Sequence, residues 1–202
     1  EMLRTAQAER DQLAADLAAA ESELAVALSA QAGSFLRHWQ LLGPLPGIER
    51  TLQDEVAKKE FRSSFKTAGL RDSVRWTPYD SPEDRLSFNQ ALQCSERAHA
   101  YAMTWVYVPD RQRIQLSVGS DDGCLVWLNR ELVLERRGAR SAAAGQDRVP
   151  AQLVAGWNAL LACVDNSGGN DWALYVEFRS AAGAQPLRIS QSPTPPKTTR
   201  RR

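Results

Sequence analysis

The sequence is poor in the residues that most often carry chemistry. Two histidines, His38 and His99, stand 61 residues apart in a chain of 202. No HExxH, GxSxG, GxGxxG or GxxxxGK[ST] pattern occurs, so the zincin, α/β-hydrolase, dinucleotide and P-loop chemistries have no sequence anchor. Three cysteines, Cys94, Cys124 and Cys163, form no CxxC or zinc pattern, and an odd number leaves at least one unpaired within a monomer. They read as small buried hydrophobes. No apolar run approaches the roughly 20 residues of a membrane span. There is no excess of one charge: 25 Lys and Arg face 24 Asp and Glu, which excludes the broad basic field of a nucleic-acid binder. Four of those basic groups fall in Lys197–Arg202, which leaves 21 basic against 24 acidic groups, a net −3, in the remainder. The chain starts at Glu1, with no export signal in view, and is expected to be a piece of a larger or processed protein. Its compartment is not legible, although an extracytoplasmic or envelope setting suits the readings below.

What is present divides into three. Residues 1–32 are rich in Ala, Glu, Gln and Leu, with no Gly or Pro. Leu3, Ala6, Leu13, Leu17, Ala20, Leu24 and Ala27 recur at alternating spacings of three and four, broken once at Arg10. That is a helical heptad seam, coiled-coil-like but weak because three of these seven positions are alanine. It predicts either a stalk that pairs two copies as a homodimer or a lone helix packed on the next domain. Gly33 ends it.

From residue 33 the period falls to two. Leu36–Leu42 reads as a strand stopped by Gly43-Pro44-Leu45-Pro46, and Val74–Thr77 as a short strand ended by Pro78. Residues 48–60 fit a short helix or a loop. Tyr101–Val108, Arg113–Gly119, Cys124–Asn129, Glu131–Glu135, Val149–Val154, Trp157–Val164 and Trp172–Arg179 read as strands with polar turns between them. Pro150 marks its strand as an edge. Ile114, Leu116 and Val118 are expected inward, as are Trp172, Leu174, Val176 and Phe178. Short strands with no intervening helix predict a mainly β fold: an antiparallel jelly-roll β-sandwich over 33–183, preceded by the N-terminal α-helix. Residues 184–202, ending SPTPPKTTRRR, read as a Pro/Ser/Thr/basic linker.

The stretch Gly119–Leu134 (GSDDGCLVWLNRELVL) holds the candidate site. Asp121 and Asp122, in a tight turn closed by Gly123, either cap backbone N–H groups or supply oxygen ligands to calcium. A second acidic cluster, Asp165-Asn166 with Asn170-Asp171, sits in a later loop. Cys124, Val126 and Leu128 facing the core would put Leu125 and Trp127 on the other side. Trp127 is there either covered by another element or open as a platform for stacking a sugar ring.

These residues carry a resemblance. The SDDG turn (Ser120–Gly123), the WLN hairpin (Trp127–Asn129), the AGWN segment (Ala155–Asn158) and Gly169 with Trp172 resemble galactose-binding-domain-like β-sandwiches. The similar modules are accessory domains of bacterial multidomain secreted or envelope proteins and the sugar-binding domains of family 2 glycosidases. The opening WQLLGPLP (Trp39–Pro46) is similar to their WxxxGPFP start. The SDDG turn also resembles the Asp-Asp calcium turn of PA14-type domains. Arg130 stands where these hairpins usually carry Gly. The resemblance covers about residues 35–181. It implies a jelly-roll fold and a non-catalytic role in binding carbohydrate or a similar extracellular polymer. Asp121, Asp122, Trp127 and Asn129 are then the ligand-binding candidates, with calcium on Asp121 and Asp122. The alternative is a scaffold module that docks other domains of the same protein and binds no sugar.

Overall fold

The computed structural model describes residues 10, 12–14, 16–17, 34–45, 64–65, 74–180 and 189–192. The described residues of the N-terminal segment are helical. The rest of that segment and the 48–60 reading lie outside the described residues. No helix among the described residues is long and apolar enough to cross a membrane.

The body is mainly β, built of two antiparallel sheets. The first contains β1 (Ser34–Phe35), β6 (Arg85–Ser87), β8 (Gln112–Asp121), β11 (Asp147–Leu153) and β13 (Ala173–Ser180). Its order is β1-β13-β8-β11, with β6 also paired to β13. The second contains β2 (His38–Leu45), β5 (Thr77–Asp80), β7 (His99–Val108), β9 (Cys124–Leu128), β10 (Glu131–Arg136), β12 (Gly156–Asp165) and β14 (Ser190–Ser192). Its order is β10-β9-β12-β7-β2-β5, with β14 beside β7. β3 (Ser64–Phe65) and β4 (Val74–Arg75) form a separate pair. From β7 to β13 the chain changes sheet at every step except the β9–β10 hairpin, so most of the pairing is non-local.

Alternation explains the core. Ile114, Leu116 and Val118 of β8 and Leu174, Val176 and Phe178 of β13 face Ala102, Val106, Val126, Leu160 and Ala162 of the other sheet across one buried layer. Trp39, Phe88 and Trp172 fill its end, with Phe88 and Trp172 ring centroids 5.0 Å apart. The second sheet is buried on its outer face too. There Leu42, Leu45, Trp76, Tyr101, Trp127, Leu161 and Cys163 form a second cluster.

Several boundaries differ from the sequence reading. β2 continues through Gly43-Pro44 to Leu45, shifting register against β7 between Leu42 and Leu45. Pro78 does not end a strand but lies inside β5, opposite Gln40. β5 is an edge, where a missing N–H costs no ladder bond. A short helix unseen in the sequence, α1 (Phe88–Leu92), sits between β6 and β7. Ser87 caps it by accepting from the Gln90 N–H, and Gln93 closes it in the left-handed region. β14 lies within the segment read as linker, where it pairs with Trp105–Tyr107. The Gly43–Pro44 and Asp121–Asp122 peptides are cis.

Candidate functional site

The four candidate residues do not converge. Asp121 and Asp122 lie where β8 passes into β9, and Asn129 lies past the far end of β9. At about 3.3 Å per residue the two ends are roughly 20 Å apart. Trp127 belongs to the outer-face cluster between them.

Asp122 is a tie between three segments. Its Oδ1 accepts from the Arg140 N–H (3.1 Å), and its Oδ2 from the Ser167 hydroxyl (2.9 Å) and the Gly168 N–H (2.8 Å). Its own N–H donates to the Asp165 carbonyl (2.7 Å), and the Asp165 N–H donates to the Gly123 carbonyl (2.9 Å). The two acidic clusters, 43 positions apart in sequence, are therefore one structure. Arg140 locks the remaining side. Its guanidinium donates to Ser120 Oγ (2.7 Å) and Asp147 Oδ2 (2.6 Å), while Ser120 Oγ donates to the Asp122 carbonyl (2.7 Å). Arg136 Nε holds the other Asp147 oxygen at 2.6 Å.

The electrostatics follow from this crowding. Burial, then Asp122 and Asp171, push the Asp121 carboxyl above the usual range; the Ala142 N–H and Arg85 work against that rise. Burial, then Asp122, raise Asp165 in the same way. Burial alone would raise Asp147, but hydrogen bonds and charge from Arg140 and Arg136 outweigh it and hold it low. Arg85 is ion-paired with Asp171.

As the side chains stand, Asp122 caps backbone and hydroxyl donors rather than presenting free oxygens to a cation. Both Asp122 oxygens already accept N–H or O–H donors, and two guanidinium groups stand by. Among the described residues no group of three or more His, Cys, Asp or Glu side chains is placed to share a metal. The turn is a capped junction.

Asn129 is likewise committed to the fold. Its Nδ2 donates to Asn158 Oδ1 (2.8 Å), its Oδ1 accepts from the Ala159 N–H (3.0 Å), and its N–H donates to the Ala159 carbonyl (2.8 Å). Asn129 and Arg130 both have positive φ (51° and 73°), so a two-residue hairpin forms with Arg where Gly is usual. The fixed Asn129 side chain holds that turn.

Trp127 is covered rather than open. It is 8% exposed, in one cluster with Trp76, Leu161, Tyr101 and Cys163. The exposed tryptophan of this face is Trp157, at 40%, beside Tyr107 at 41%. It is not among the sequence-derived candidates, although alternation puts the odd-numbered positions of β12 on Trp127's face.

Against the SDDG junction lies a pocket of about 190 Å³. Leu125 and Cys163 contribute apolar surface, and Gly123 and Gly138 contribute bare backbone. His99, Asp165, Glu135, Arg136 and Arg137 contribute polar groups. Arg137 pairs with Glu135 and Arg136 with Asp147, so both cations have anionic partners.

No family model matches this chain, and no curated protein matches it. Solved structures with similar coordinates include the PA14 domain of the MpAFP antifreeze protein. It is 15% identical with a TM-score of 0.43, covering 80% of this chain and 93% of that one. A PA14 sugar-binding domain from an RTX adhesin is 18% identical with a TM-score of 0.35, covering 59% and 57%. A beta-glucosidase from Kluyveromyces marxianus in complex with glucose is 11% identical with a TM-score of 0.43, covering 71% of this chain and 16% of the enzyme. Both kinds of protein named by the sequence resemblance, PA14-type domains and glycosidases, are among these similar structures.

Proposed function

We propose that this chain is a non-catalytic carbohydrate-binding module of a larger protein, and that a single sugar ring occupies the pocket beside the SDDG junction. The observation that carries the reading is the lining of that pocket. Leu125 and Cys163 offer apolar surface to ring C–H groups, while Asp165 and Glu135 offer acceptors to hydroxyls. Its size, about 190 Å³, lies below the roughly 300–1,000 Å³ of sites for drug-sized ligands, which favours one ring over an oligomer. The pairing of both lining arginines favours a neutral sugar over a sugar acid, since an added carboxylate would have to displace Glu135 or Asp147 from them. Asp122 acts here by holding the pocket wall, through its N–H on the Asp165 carbonyl and the Asp165 N–H on the Gly123 carbonyl.

The test is a glycan panel probed with the full chain and with Asp165→Asn and Leu125→Arg variants, each confirmed folded by circular dichroism. Binding by the parent that falls in both variants supports the pocket. Binding unaffected by either, or none across the panel, overturns it.

The N-terminal helix adds a homodimer to this reading. Leu13 and Leu17, one turn apart on the heptad seam, are 73% and 62% exposed. A second copy of the same helix would cover them. Sedimentation equilibrium of the full chain should give a dimer that Leu13→Glu with Leu17→Glu converts to monomer; a monomer in both refutes the pairing.

A further inference from the structure

At the opposite end of the same sheet face, we infer a second carbohydrate contact, a stacking platform made by Tyr107 and Trp157. Strand register places them together: Trp157 of β12 is the direct partner of Tyr107 of β7. Their direction is fixed by alternation. Asn158, Leu160 and Ala162 point into the sandwich, so Trp157 points out, as Tyr107 does beside inward Val106 and Val108. The ring centroids are 5.5 Å apart at 66°, an edge-to-face contact that leaves the rings open on different planes. Their outward neighbour Trp105 is buried.

The size of the patch selects its occupant. An aromatic side chain carries roughly 150–250 Å² of surface, so two rings about 40% exposed offer on the order of 200 Å² together. A stable protein interface takes about 800 Å² from each partner. The other exposed large apolar side chains described in the body, Leu132 and Val154, do not close that gap. A single pyranose face, with its polarised C–H bonds, matches two rings of this size.

The platform is also held still, which lowers the entropy lost on binding. Gly156, at φ +95°, turns the chain into Trp157. Asn158, fully buried, grips both the Val154 N–H and carbonyl and the Asn129 amide. The ring therefore stands on a sheet and a cross-braced turn rather than on a loose loop.

The ligand class rests on the carbohydrate reading above, but the site is a different one. Asp165 and Trp157 are eight residues apart along β12, roughly 26 Å. The experiment is affinity electrophoresis of the full chain in gels containing xylan, mixed-linkage β-glucan or galactomannan, with pull-down on insoluble cellulose and chitin. Trp157→Ala, Trp157→Phe, Tyr107→Ala and Asp165→Asn run beside the parent, each checked for an unchanged melting profile. In parallel, oxidation of Trp157 by N-bromosuccinimide is followed by mass spectrometry with and without the retaining polysaccharide. We expect at least tenfold weaker retention in Trp157→Ala and Tyr107→Ala, most of it recovered in Trp157→Phe, and protection of Trp157 from oxidation. Retention lost in Asp165→Asn but kept in the aromatic variants sinks the platform and leaves the pocket. The reverse result sinks the pocket and leaves the platform. Retention of the parent by none of the five polysaccharides overturns the platform as a polysaccharide contact.

Discussion

Replacing Asn158 by Ala should destabilise the sandwich more than any other single polar substitution at the hairpin end. The side chain is fully buried and uses both halves of its amide. Oδ1 accepts from the Val154 N–H (2.9 Å) and Asn129 Nδ2 (2.8 Å). Nδ2 donates to the carbonyls of Val154 (2.9 Å) and Gly156 (3.1 Å), with Val106 farther off at 3.4 Å. Each such bond is worth about 1 kcal/mol net, and a buried group left unpaired costs about 1–3 kcal/mol. Val154 is half exposed and recovers water for its own groups, which removes part of that penalty. The expected loss is therefore about 2–4 kcal/mol. For a domain of this size 1 kcal/mol moves Tm by about 2–4 °C, so a fall of roughly 5–15 °C is expected. Asn129→Ala should cost less, about 1–2 kcal/mol, because its turn is at the surface. The pair shares one hydrogen bond, so a double-mutant cycle from urea titrations should show a coupling above about 0.5 kcal/mol. A loss below 0.5 kcal/mol in Asn158→Ala, or strict additivity with Asn129→Ala, would refute the cross-brace. Asn129→Ala should leave glycan binding unchanged once folding is matched.

Three further outcomes follow from the SDDG end. Asp122→Asn puts an NH₂ group against an N–H or O–H donor and should lower stability by about 2–3 kcal/mol in thermal melts, whereas EDTA should not move the melting temperature of the parent; a clear EDTA shift would restore a metal to the turn. Gly119→Ala should prevent the 138–146 loop from closing, because an added Cβ would stand 1.9 Å from the Ala143 carbonyl oxygen; limited proteolysis should show faster cleavage there, and unchanged cleavage refutes the packing. The pH profile has two opposed parts. Asp121 and Asp165 have raised values in the folded state, so they penalise folding at neutral pH and that penalty is relieved as pH falls through those values. Asp147 has a lowered value, so its stabilisation is present above its unfolded value of about 3.9 and is lost as pH falls through the folded one. Stability in urea should therefore hold or rise on mild acidification and drop only below about pH 4; a monotonic fall from pH 7 would refute this assignment.

The inward faces of β8 and β13 were legible because strict alternation over Ile114–Val118 and Leu174–Phe178 admits one register when one face is buried. The edge position of β11 was legible from Pro150. α1 was not, because five residues carry no helical period and its cap, Ser87, is an ordinary serine in sequence. β14 was hidden by composition: Ser190-Gln191-Ser192 has no strand propensity and is held by backbone pairing to β7. For the site, both acidic turns could be named, but their union depends on backbone bonds between residues 122 and 165, which no local pattern encodes. Arg140 was passed over for the same reason, since an arginine in a small-residue loop reads as solvated until Ser120 and Asp147 are brought to it.

The exchange of Trp127 for Trp157 has a more general cause. β7, β9 and β12 are central strands of a sheet buried on both faces near its middle, so outward position does not imply exposure there. Trp127 belongs to the cluster that also holds Leu161 and Trp76 and is sealed, at 8% exposed. Trp157 has the same outward direction but lies at the strand's start, where the second cluster has ended. A surface aromatic on a doubly covered sheet is thus a matter of distance along the strand. Alternation gives only the face, and sequence contains no measure of where the covering layer stops. The same reasoning locates both proposed contacts. The aromatic pair and the pocket lie at the two ends of β12, the first beyond the layer that covers its centre and the second at that layer's rim, where Leu125 and Cys163 belong to both.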